Sequence, residues 1–421
     1  MQSFKLAVLF KSRTKSKTEE NFLLFFLFLT FSFPKAGVTI SGVPITLQMV
    51  LIPIILVLLL KEIPAAFSKC KLLLSFYIFY SFLILFSCLI NLFDFTETFY
   101  FYLRSLILLI SPLFITAGAM AAISKENFGK VILISGLIVT TYSIIQKIWG
   151  ITATSIPGIT YTYGSSLVVK PIGYNSSTDT ALKMPSTYQN GNSSGLFLLL
   201  VLCYSIYVLT IVKRPHVFVL FLALSIYFSI GILLAGSRSA IFGLILSLIF
   251  IAIYQSFSKL NLPKIKFKKR IFGTIAFASL LILLIIVLSN SNVINTFITR
   301  TLNDPTGNGR TQQIEYLLNE FGKYPLSFIF GLRWNIGYVG EGFYSLWACY
   351  GLLFFLTFFG FLLYCSFSRK NSSIFFSIAL FAICIAFFVD SSFYYLPNLI
   401  NFFIFFGYSI SGGNKYLIEI K

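Results

Sequence analysis

Residues 271–289 read IFGTIAFASLLILLIIVLS, an apolar run that contains no charged residue. A bilayer core is about 30 Å thick, and an α-helix needs about 20 apolar residues to cross it. In lipid the backbone polar groups must bond to one another, so only helices and closed barrels cross membranes. Barrel strands alternate apolar and polar residues, and this run does not alternate. It therefore predicts a membrane-spanning helix.

The whole chain shares this apolar character. Of its 421 residues, 57% are hydrophobic and 11% are charged, and the mean hydropathy is +0.89. Soluble domains carry about 25% charged residues. A water-soluble fold of this length could not bury so much apolar surface, which excludes the soluble classes. We predict an all-α, polytopic integral membrane protein in which residues 1–421 form a single membrane domain.

Apolar runs of membrane length predict about twelve transmembrane helices. Pro34 and Lys35 interrupt the first of these runs. A basic N-terminus precedes that run, and no small-residue cleavage site follows it, which predicts an uncleaved first helix. The predicted helices span residues 21–40, 43–60, 71–91, 99–122, 128–148, 193–212, 216–235, 239–256, 271–289, 343–364, 373–390 and 396–412.

The formal net charge of +19 reflects where the basic residues lie. If the N-terminus is cytoplasmic, about two thirds of the 32 Lys and Arg residues fall in cytoplasmic segments, as the positive-inside rule expects. We therefore predict that both termini are cytoplasmic and that nucleic acid is not a partner. Two long segments, 149–192 and 290–342, then face outward. Loops of this length are uncommon unless they are functional.

The second outer loop contains a helical pattern. Ile314, Leu317, Leu318 and Phe321 follow i, i+3, i+4, i+7 spacing, which predicts a short amphipathic helix. Its apolar face could lie on the membrane surface. Alternatively, that face packs on the core of the loop itself.

Four of the arginines that lie at the predicted outer side, against the topological bias, are candidate site residues. An arginine inside the apolar zone costs about 2.5–3.5 kcal/mol on insertion scales, so it usually has a partner. Guanidinium presents a planar fork that matches phosphate oxygens and stays charged. The arginines could bind a phosphorylated lipid head, or they could contact headgroups and nearby acids without a substrate role. They are Arg104, Arg238, Arg310 and Arg333.

Two outward acids are candidates for a general base. Glu341 precedes the predicted helix 343–364, and Asp390 ends the predicted helix 373–390. A carboxylate here could accept a proton from an attacking hydroxyl, or it could pair with an arginine. We favour Glu341 as the base because it closely follows Arg333, and we assign Asp390 to substrate binding.

The first outer loop ends in the polar segment STYQNGNSSG, residues 186–195. Tyr188 and Asn190 could bind sugar hydroxyls, or they could form a polar turn and helix cap that needs no ligand. The chain has no Asp-x-Asp pair, Walker A loop or GxGxxG motif, and its one histidine, His216, follows the predicted cytoplasmic pair Lys213–Arg214. We predict no metal and no cofactor.

These motifs, taken together, resemble the bacterial O-antigen polymerase and ligase superfamily, which includes the Wzy-type polymerases. The polar STYQNGNSSG segment opens a middle helix, and the turn GSRSA, residues 236–240, follows. A large outer loop then contains Gly309–Arg310, Gly331 and a Glu341-x₉-Gly351 pair. The resemblance spans residues 100–410.

This resemblance implies glycosyl transfer at the outer face of the bacterial cytoplasmic membrane. A polymerase moves a growing glycan from undecaprenyl diphosphate onto a carrier-linked repeat unit of an O-antigen or capsule. A ligase moves the glycan onto lipid A core or protein. Family ligases commonly have His-Asn before the helix that follows the large loop, and this chain reads YVGEGFYSL there, which favours a polymerase.

Other partners and a third function also follow from these patterns. The resemblance implies contact with membrane lipid, with a flippase and with a chain-length regulator. A transporter or flippase for lipid-linked glycans is an alternative from another class of protein. It should carry charges deep in several helices and pseudo-symmetric broken helices. Here the polar residues concentrate in two outer loops.

Overall fold

The structure is a computed structural model, and it is mainly helical. It describes residues 17–40, 43–68, 71–91, 105–121, 125–151, 153–160, 183–212, 214–237, 239–241, 243, 245, 310–323, 325–331, 343–367, 374–389 and 396–410. The helices of the N-terminal half are α1 (Lys17–Ser32), α2 (Leu47–Leu59), α3 (Ile63–Ser68), α4 (Lys71–Asn91), α5 (Ser111–Ala121) and α6 (Lys125–Trp149). Those that follow are α7 (Gly191–Ile211), α8 (Pro215–Ala235), α9 (Arg310–Lys323), α10 (Pro325–Phe330), α11 (Phe343–Phe367), α12 (Ile374–Val389) and α13 (Leu396–Ile410).

Four helices among the described residues are long and apolar enough to cross a membrane. They are Glu126–Trp149 of α6, Gly191–Leu209 of α7, Pro215–Ala235 of α8 and Leu346–Tyr364 of α11. For α4, α6, α7, α8, α11, α12 and α13 the observed bounds lie within a few residues of the predicted ones. The predicted helix 271–289 lies outside the described residues, as does most of 239–256.

The prediction for the first two helices is wrong near residue 40. Helix α1 ends at Ser32 rather than continuing to residue 40, and strand β1 (Gly37–Ile40) pairs antiparallel with β2 (Val43–Thr46). Pro34 cannot donate a backbone hydrogen bond and disfavours a helical conformation in the residue before it. The chain therefore leaves the helix before this proline, and α2 begins only after the hairpin.

The predicted helix 99–122 is also interrupted. Residues 105–109 are helical, Ile110 lies in a turn, and α5 then begins at Ser111. Pro112 has no N–H to donate and is tolerated in the first turn of the new helix. The apolar run is continuous in sequence, so hydropathy alone does not reveal the break.

Helix α7 is the centre of the bundle. Within its membrane-length window 83% of the residues are buried, against 28% in α8. Helices α6, α8, α12 and α13 all pack against it. In two further pairings α5 packs on α13, and α4 packs on α11. The N-terminal end of α7, where the polar segment enters the helix, is therefore surrounded by protein.

Candidate functional site

The polar segment before α7 is anchored to α6. The backbone N–H of Ser186 donates to Oε1 of Gln146 at 2.7 Å, and Nε2 of Gln146 donates to the Ser186 carbonyl at 3.2 Å. Ser186 Oγ also donates to the Val139 carbonyl at 2.6 Å. These bonds satisfy buried polar groups, and they hold the segment against the bundle.

Tyr188 lies at the centre of this polar segment and is fully buried. Its hydroxyl donates to the Phe31 carbonyl at 2.8 Å and accepts from Nδ2 of Asn401 at 3.2 Å. Its ring stacks on Phe197 with 5.5 Å between centroids. Burial raises the pKa of Tyr188 well above its usual value, so the phenol stays protonated and can donate. The contacts join three segments of the fold, and the predicted role in sugar binding stays a prediction.

Asn190 is the N-cap of α7. Its backbone is extended, and its Oδ1 accepts a hydrogen bond from the Ser193 N–H at 2.9 Å. Ser193 Oγ in turn accepts from Nδ2 of Asn398 at 3.1 Å. The helix cap that the sequence left open as an alternative is thus present. Contact between Asn190 and a sugar stays a prediction.

The turn at residues 236–240 follows α8. Gly236 ends that helix with φ +57°, the left-handed region that favours glycine. The hydroxyls of Ser237 and Ser239 lie 3.0 Å apart, and the Ala240 N–H donates to Ser237 Oγ at 3.2 Å. Ser237 therefore caps the next helical turn. Arg238, which the sequence places between the two serines, lies outside the described residues.

The polar segment and this turn are in contact with each other. The Met184 N–H donates to the Leu234 carbonyl at 3.0 Å. A Cβ at Gly195 would lie 2.8 Å from Cβ of Ser237, so only a glycine lets α7 approach the turn this closely. Two motifs that are far apart in sequence thus pack against each other at the ends of α7 and α8.

Lys183 lies beside this contact, and no motif in the sequence predicts its position there. Its Nζ donates to Oδ1 of Asn192 at 3.1 Å, and its side chain packs against Gly236. In sequence it lies inside a long polar loop with no distinguishing motif. Only its position beside the turn marks it as a candidate.

The helix predicted in the second outer segment is present as α9. Leu317 and Phe321 are buried and pack with Phe328, Trp347 and Ala348, whereas Leu318 is 50% exposed. The buried part of the apolar face is therefore covered by α10 and α11. Only the exposed part of the apolar face of α9, which includes Leu318, could contact a membrane surface.

Helix α10 is fixed to α11. Trp347 Nε1 donates to the Phe328 carbonyl at 3.0 Å. Gly351 interrupts α11 with φ +85°, and a Cβ there would collide with the Ile329 backbone. The glycine in the Glu341-x₉-Gly351 pattern thus permits close backbone contact. Through α10, this contact positions α9, whose first residue is Arg310.

The remaining predicted site residues are not brought together by the described part of the chain. Arg310 begins α9, and only its backbone position is described. The others lie outside the described residues; they are Arg104, Arg238, Arg333, Glu341 and Asp390.

The described features define a class of protein: a mainly helical chain with helices suited to a membrane. A family model described as O-antigen ligase matches residues 220–348, from within α8 to within α11. The match supports membership of this chain in the O-antigen ligase and polymerase superfamily. It includes the turn at 236–240, α9 and α10. No curated protein matches the chain.

Proposed function

We propose that this protein is a polysaccharide repeat-unit polymerase, making O-antigen or capsule. It would transfer a growing glycan from undecaprenyl diphosphate to a carrier-linked repeat unit. The observation that carries the proposal is the packing of the polar segment, residues 186–195, against the turn at 236–240. That turn belongs to the region matched by the family model. The sequence YVGEGFYSL, residues 338–346, which has no histidine, favours polymerase over ligase.

The proposed chemistry is a displacement at the anomeric carbon of the donor sugar. The acceptor hydroxyl oxygen forms the new bond, and the bond to the diphosphate oxygen breaks. Negative charge develops on the leaving diphosphate, and cations already in position stabilise it. Arg238 and Arg310 are proposed to bind this diphosphate, and Arg104 and Arg333 to assist. Glu341 is proposed to accept the proton of the acceptor hydroxyl.

The other predicted site residues are assigned to substrate binding. Asp390 is proposed to contact the glycan directly. Tyr188 is fully buried, and Asn190 caps α7. Their contribution is therefore proposed to be the shape of the surface on which the glycan lies.

The proposed setting is the inner membrane of a bacterium. About twelve transmembrane helices would place both termini in the cytoplasm and both long loops outside, following the positive-inside rule. The polyprenyl carrier would then reach the site from the lipid phase. A flippase would supply the carrier-linked units, and a chain-length regulator would set the extent of polymerisation.

A second candidate is the O-antigen ligase reaction, which the description of the matching family favours. The same diphosphate donor would be used, and the acceptor would be lipid A core or protein. A transporter of lipid-linked glycans has no such support.

Deletion of the gene separates these functions. Surface glycan is extracted and resolved on a gel. Loss of a polymerase leaves anchored single repeats without a ladder, whereas loss of a ligase or a flippase leaves no anchored glycan. Absence of anchored single repeats in the deletion strain would contradict the polymerase proposal.

Complementation with Arg238→Ala tests the proposed cation. The variant should reproduce the deletion phenotype while its amount in the membrane is unchanged. The matched control is Arg214→Ala, an exposed arginine at the start of α8 and at its other end from the turn. Wild-type ladders from Arg238→Ala would remove Arg238 from the mechanism.

A further inference from the structure

The pair of strands β1 and β2 turns apolar side chains away from the protein. Val38 and Ile40 lie two residues apart on β1, so they share one face of the pair, and each is 56% exposed. Val38 lies opposite Ile45 on that face. Thr46, which lies opposite Gly37 on the other face, is buried. In water an antiparallel sheet turns its apolar face to the core, so the orientation of this pair is reversed.

The exposed apolar surface continues along α2. Val50, Ile54 and Val57 are exposed and recur at helical spacing, so they form one stripe on that helix. Residues 36–60 contain no charged residue. Helix α2 has 13 residues and is therefore about 20 Å long, whereas a bilayer core is about 30 Å thick. If Lys61, the first charge after this run, marks one boundary of the core, the core extends past the start of α2 to the strand pair.

The segment after α6 folds back along that helix. Glu126–Trp149 is long and apolar enough to cross a membrane, and Trp149 at its end is exposed. Tryptophan concentrates at membrane–water interfaces, so this end marks a boundary of the bilayer. Tyr142 precedes Trp149 by two helical turns, a rise of about 10 Å. Its hydroxyl contacts the Thr154 carbonyl and, at 3.3 Å, Thr160 Oγ1. The segment therefore lies beside the last turns of α6 and not beyond its end.

Strand β1 is attached to this segment. The Gly37 N–H donates to the Gly158 carbonyl at 2.9 Å. Ile156 and Ile159, on either side of that contact, are exposed apolar residues. The strand pair, the segment after α6 and the start of α2 therefore expose apolar side chains together, at the level where α6 reaches the bilayer boundary.

Phospholipid is the partner that this surface fits. A contiguous exposed apolar surface indicates a protein or membrane contact, and this one is continuous with helices of membrane character. Strand edges cannot lie in the hydrocarbon core without partners for their backbone groups, whereas water and headgroups supply such partners in the interface. The strand pair therefore suits the interface, with its backbone among the headgroups and its apolar side chains directed at the acyl chains.

We propose that the β1–β2 pair lies in the leaflet at the C-terminal end of α6, with Val38 and Ile40 in contact with phospholipid acyl chains. The proposal does not depend on the reaction that the protein catalyses. The pair would fix the end of α1 relative to the membrane. Because the Phe31 carbonyl of α1 accepts from Tyr188, it would also fix the polar segment before α7.

Photo-crosslinking of the full-length protein in native membranes tests this contact. Val38→benzoylphenylalanine and Ile40→benzoylphenylalanine place a group that inserts into nearby C–H bonds when it is irradiated. Intact-mass spectrometry should show an increase by the mass of one phospholipid. Val57→benzoylphenylalanine, on the apolar stripe of α2, is the positive control. Glu126→benzoylphenylalanine is the matched control and should form far fewer lipid adducts, since Glu126 is charged and 82% exposed at the other end of α6.

The melting temperature of each purified variant checks that the probe leaves the fold intact. Val38 and Ile40 are exposed, so neither probe should lower it. If both probes do, Ile156→benzoylphenylalanine and Ile159→benzoylphenylalanine test the same surface from the segment after α6.

Lipid adducts as frequent at Val38 and Ile40 as at Val57 would support the proposal. Crosslinks to a second copy of the chain, seen as a dimer on a denaturing gel, or to another protein would overturn it, because that partner would then cover the surface. Lipid adducts at Val57 with none at Val38 and Ile40 would place the strand pair in water and overturn it. Equal lipid adducts at Glu126 and Val38 would also overturn it, since such contact would not require insertion.

Discussion

The hydroxyl of Tyr188 donates a hydrogen bond of 2.8 Å to the carbonyl of Phe31, a residue 157 positions earlier in the chain. The same oxygen accepts from Asn401, so one buried atom joins the end of α1, the polar segment before α7 and α13. The polar segment that carries Tyr188 also contacts the turn at 236–240. Its integrity should therefore control both stability and the geometry of the candidate site.

Tyr188→Phe should destabilise the protein by about 1–3 kcal/mol, since it leaves buried polar groups of Phe31 and Asn401 without this partner. Thermal unfolding of the purified protein measures the loss. A double-mutant cycle with Asn401→Leu should give a non-additive free energy, because the two side chains are in contact. Additive losses would show that the hydrogen bond contributes nothing to stability.

Asn190→Ala should lower the unfolding free energy by about 1 kcal/mol, because the N-cap of α7 is lost. Asn190→Asp should keep the cap, since its carboxylate can accept from the Ser193 N–H. Unfolding temperatures and glycan ladders of both variants test the assignment. If Asn190→Asp folds normally but yields no ladder, the amide has a role in binding as well.

The neighbours Leu317 and Leu318 in α9 form a matched pair. Leu317 is 1% exposed, and Leu317→Ala should cost about 2–5 kcal/mol if α9 stays packed on α10 and α11. Leu318 is 50% exposed, and Leu318→Ala should be nearly neutral in detergent. Unfolding curves check both values. A larger loss of stability from Leu318→Ala than from Leu317→Ala would mean that Leu318, and not Leu317, packs on α10 and α11.

Gly351→Ala should displace α10 and abolish the glycan ladder, because a Cβ collides with the Ile329 backbone and the φ of +85° is strained. The matched control is Gly322→Ala in α9, where an added Cβ meets nothing within 4 Å. This control should be neutral or stabilising, since alanine favours helix more than glycine does. Gel analysis of surface glycan compares the two. A normal ladder from Gly351→Ala would show that function does not depend on the position of α10.

Lys35 should make stability depend on pH in the alkaline range. It is 7% exposed in the turn between α1 and β1, and burial lowers its pKa from 10.5 to about 8. Between these two values the unfolded chain binds more protons, so the unfolding free energy should rise with pH and level off above pH 10.5. In Lys35→Met this rise should be reduced. An identical pH profile in the variant would exclude Lys35 as its source.

The positions of many helices are predictable from sequence, because the backbone N–H and C=O groups of a long apolar run form their hydrogen bonds within one helix. Helices α4, α8 and α11 accordingly begin within a few residues of their predicted positions. The pairing of Gly37–Ile40 with Val43–Thr46 is less predictable, since both segments fall inside the predicted helices 21–40 and 43–60. Pro34 indicates locally that the first helix ends. It does not indicate that the residues after it form a strand, because a strand also needs a partner strand.

The candidate site shows the same division. Polar residues before α7 attract notice because they interrupt an apolar chain, and Tyr188 and Asn190 are found this way. Lys183 carries no such signal, since one lysine in a polar loop resembles any other. Its significance depends on Gly191 and Gly236, which make room for its stem only when α7 and α8 lie side by side.

The sequence by itself determined that this chain is built of apolar helices with polar segments between them, and its GSRSA turn and following loop resemble those of the O-antigen polymerase and ligase superfamily. These properties are local, because hydropathy, proline and glycine act on the residues beside them. Tertiary structure decided that the segment before α7 contacts the turn after α8, and that part of the apolar face of α9 is covered by protein. Those contacts depend on which helices pack together. Packing brings together residues that are far apart in sequence, and no local pattern indicates that they will meet.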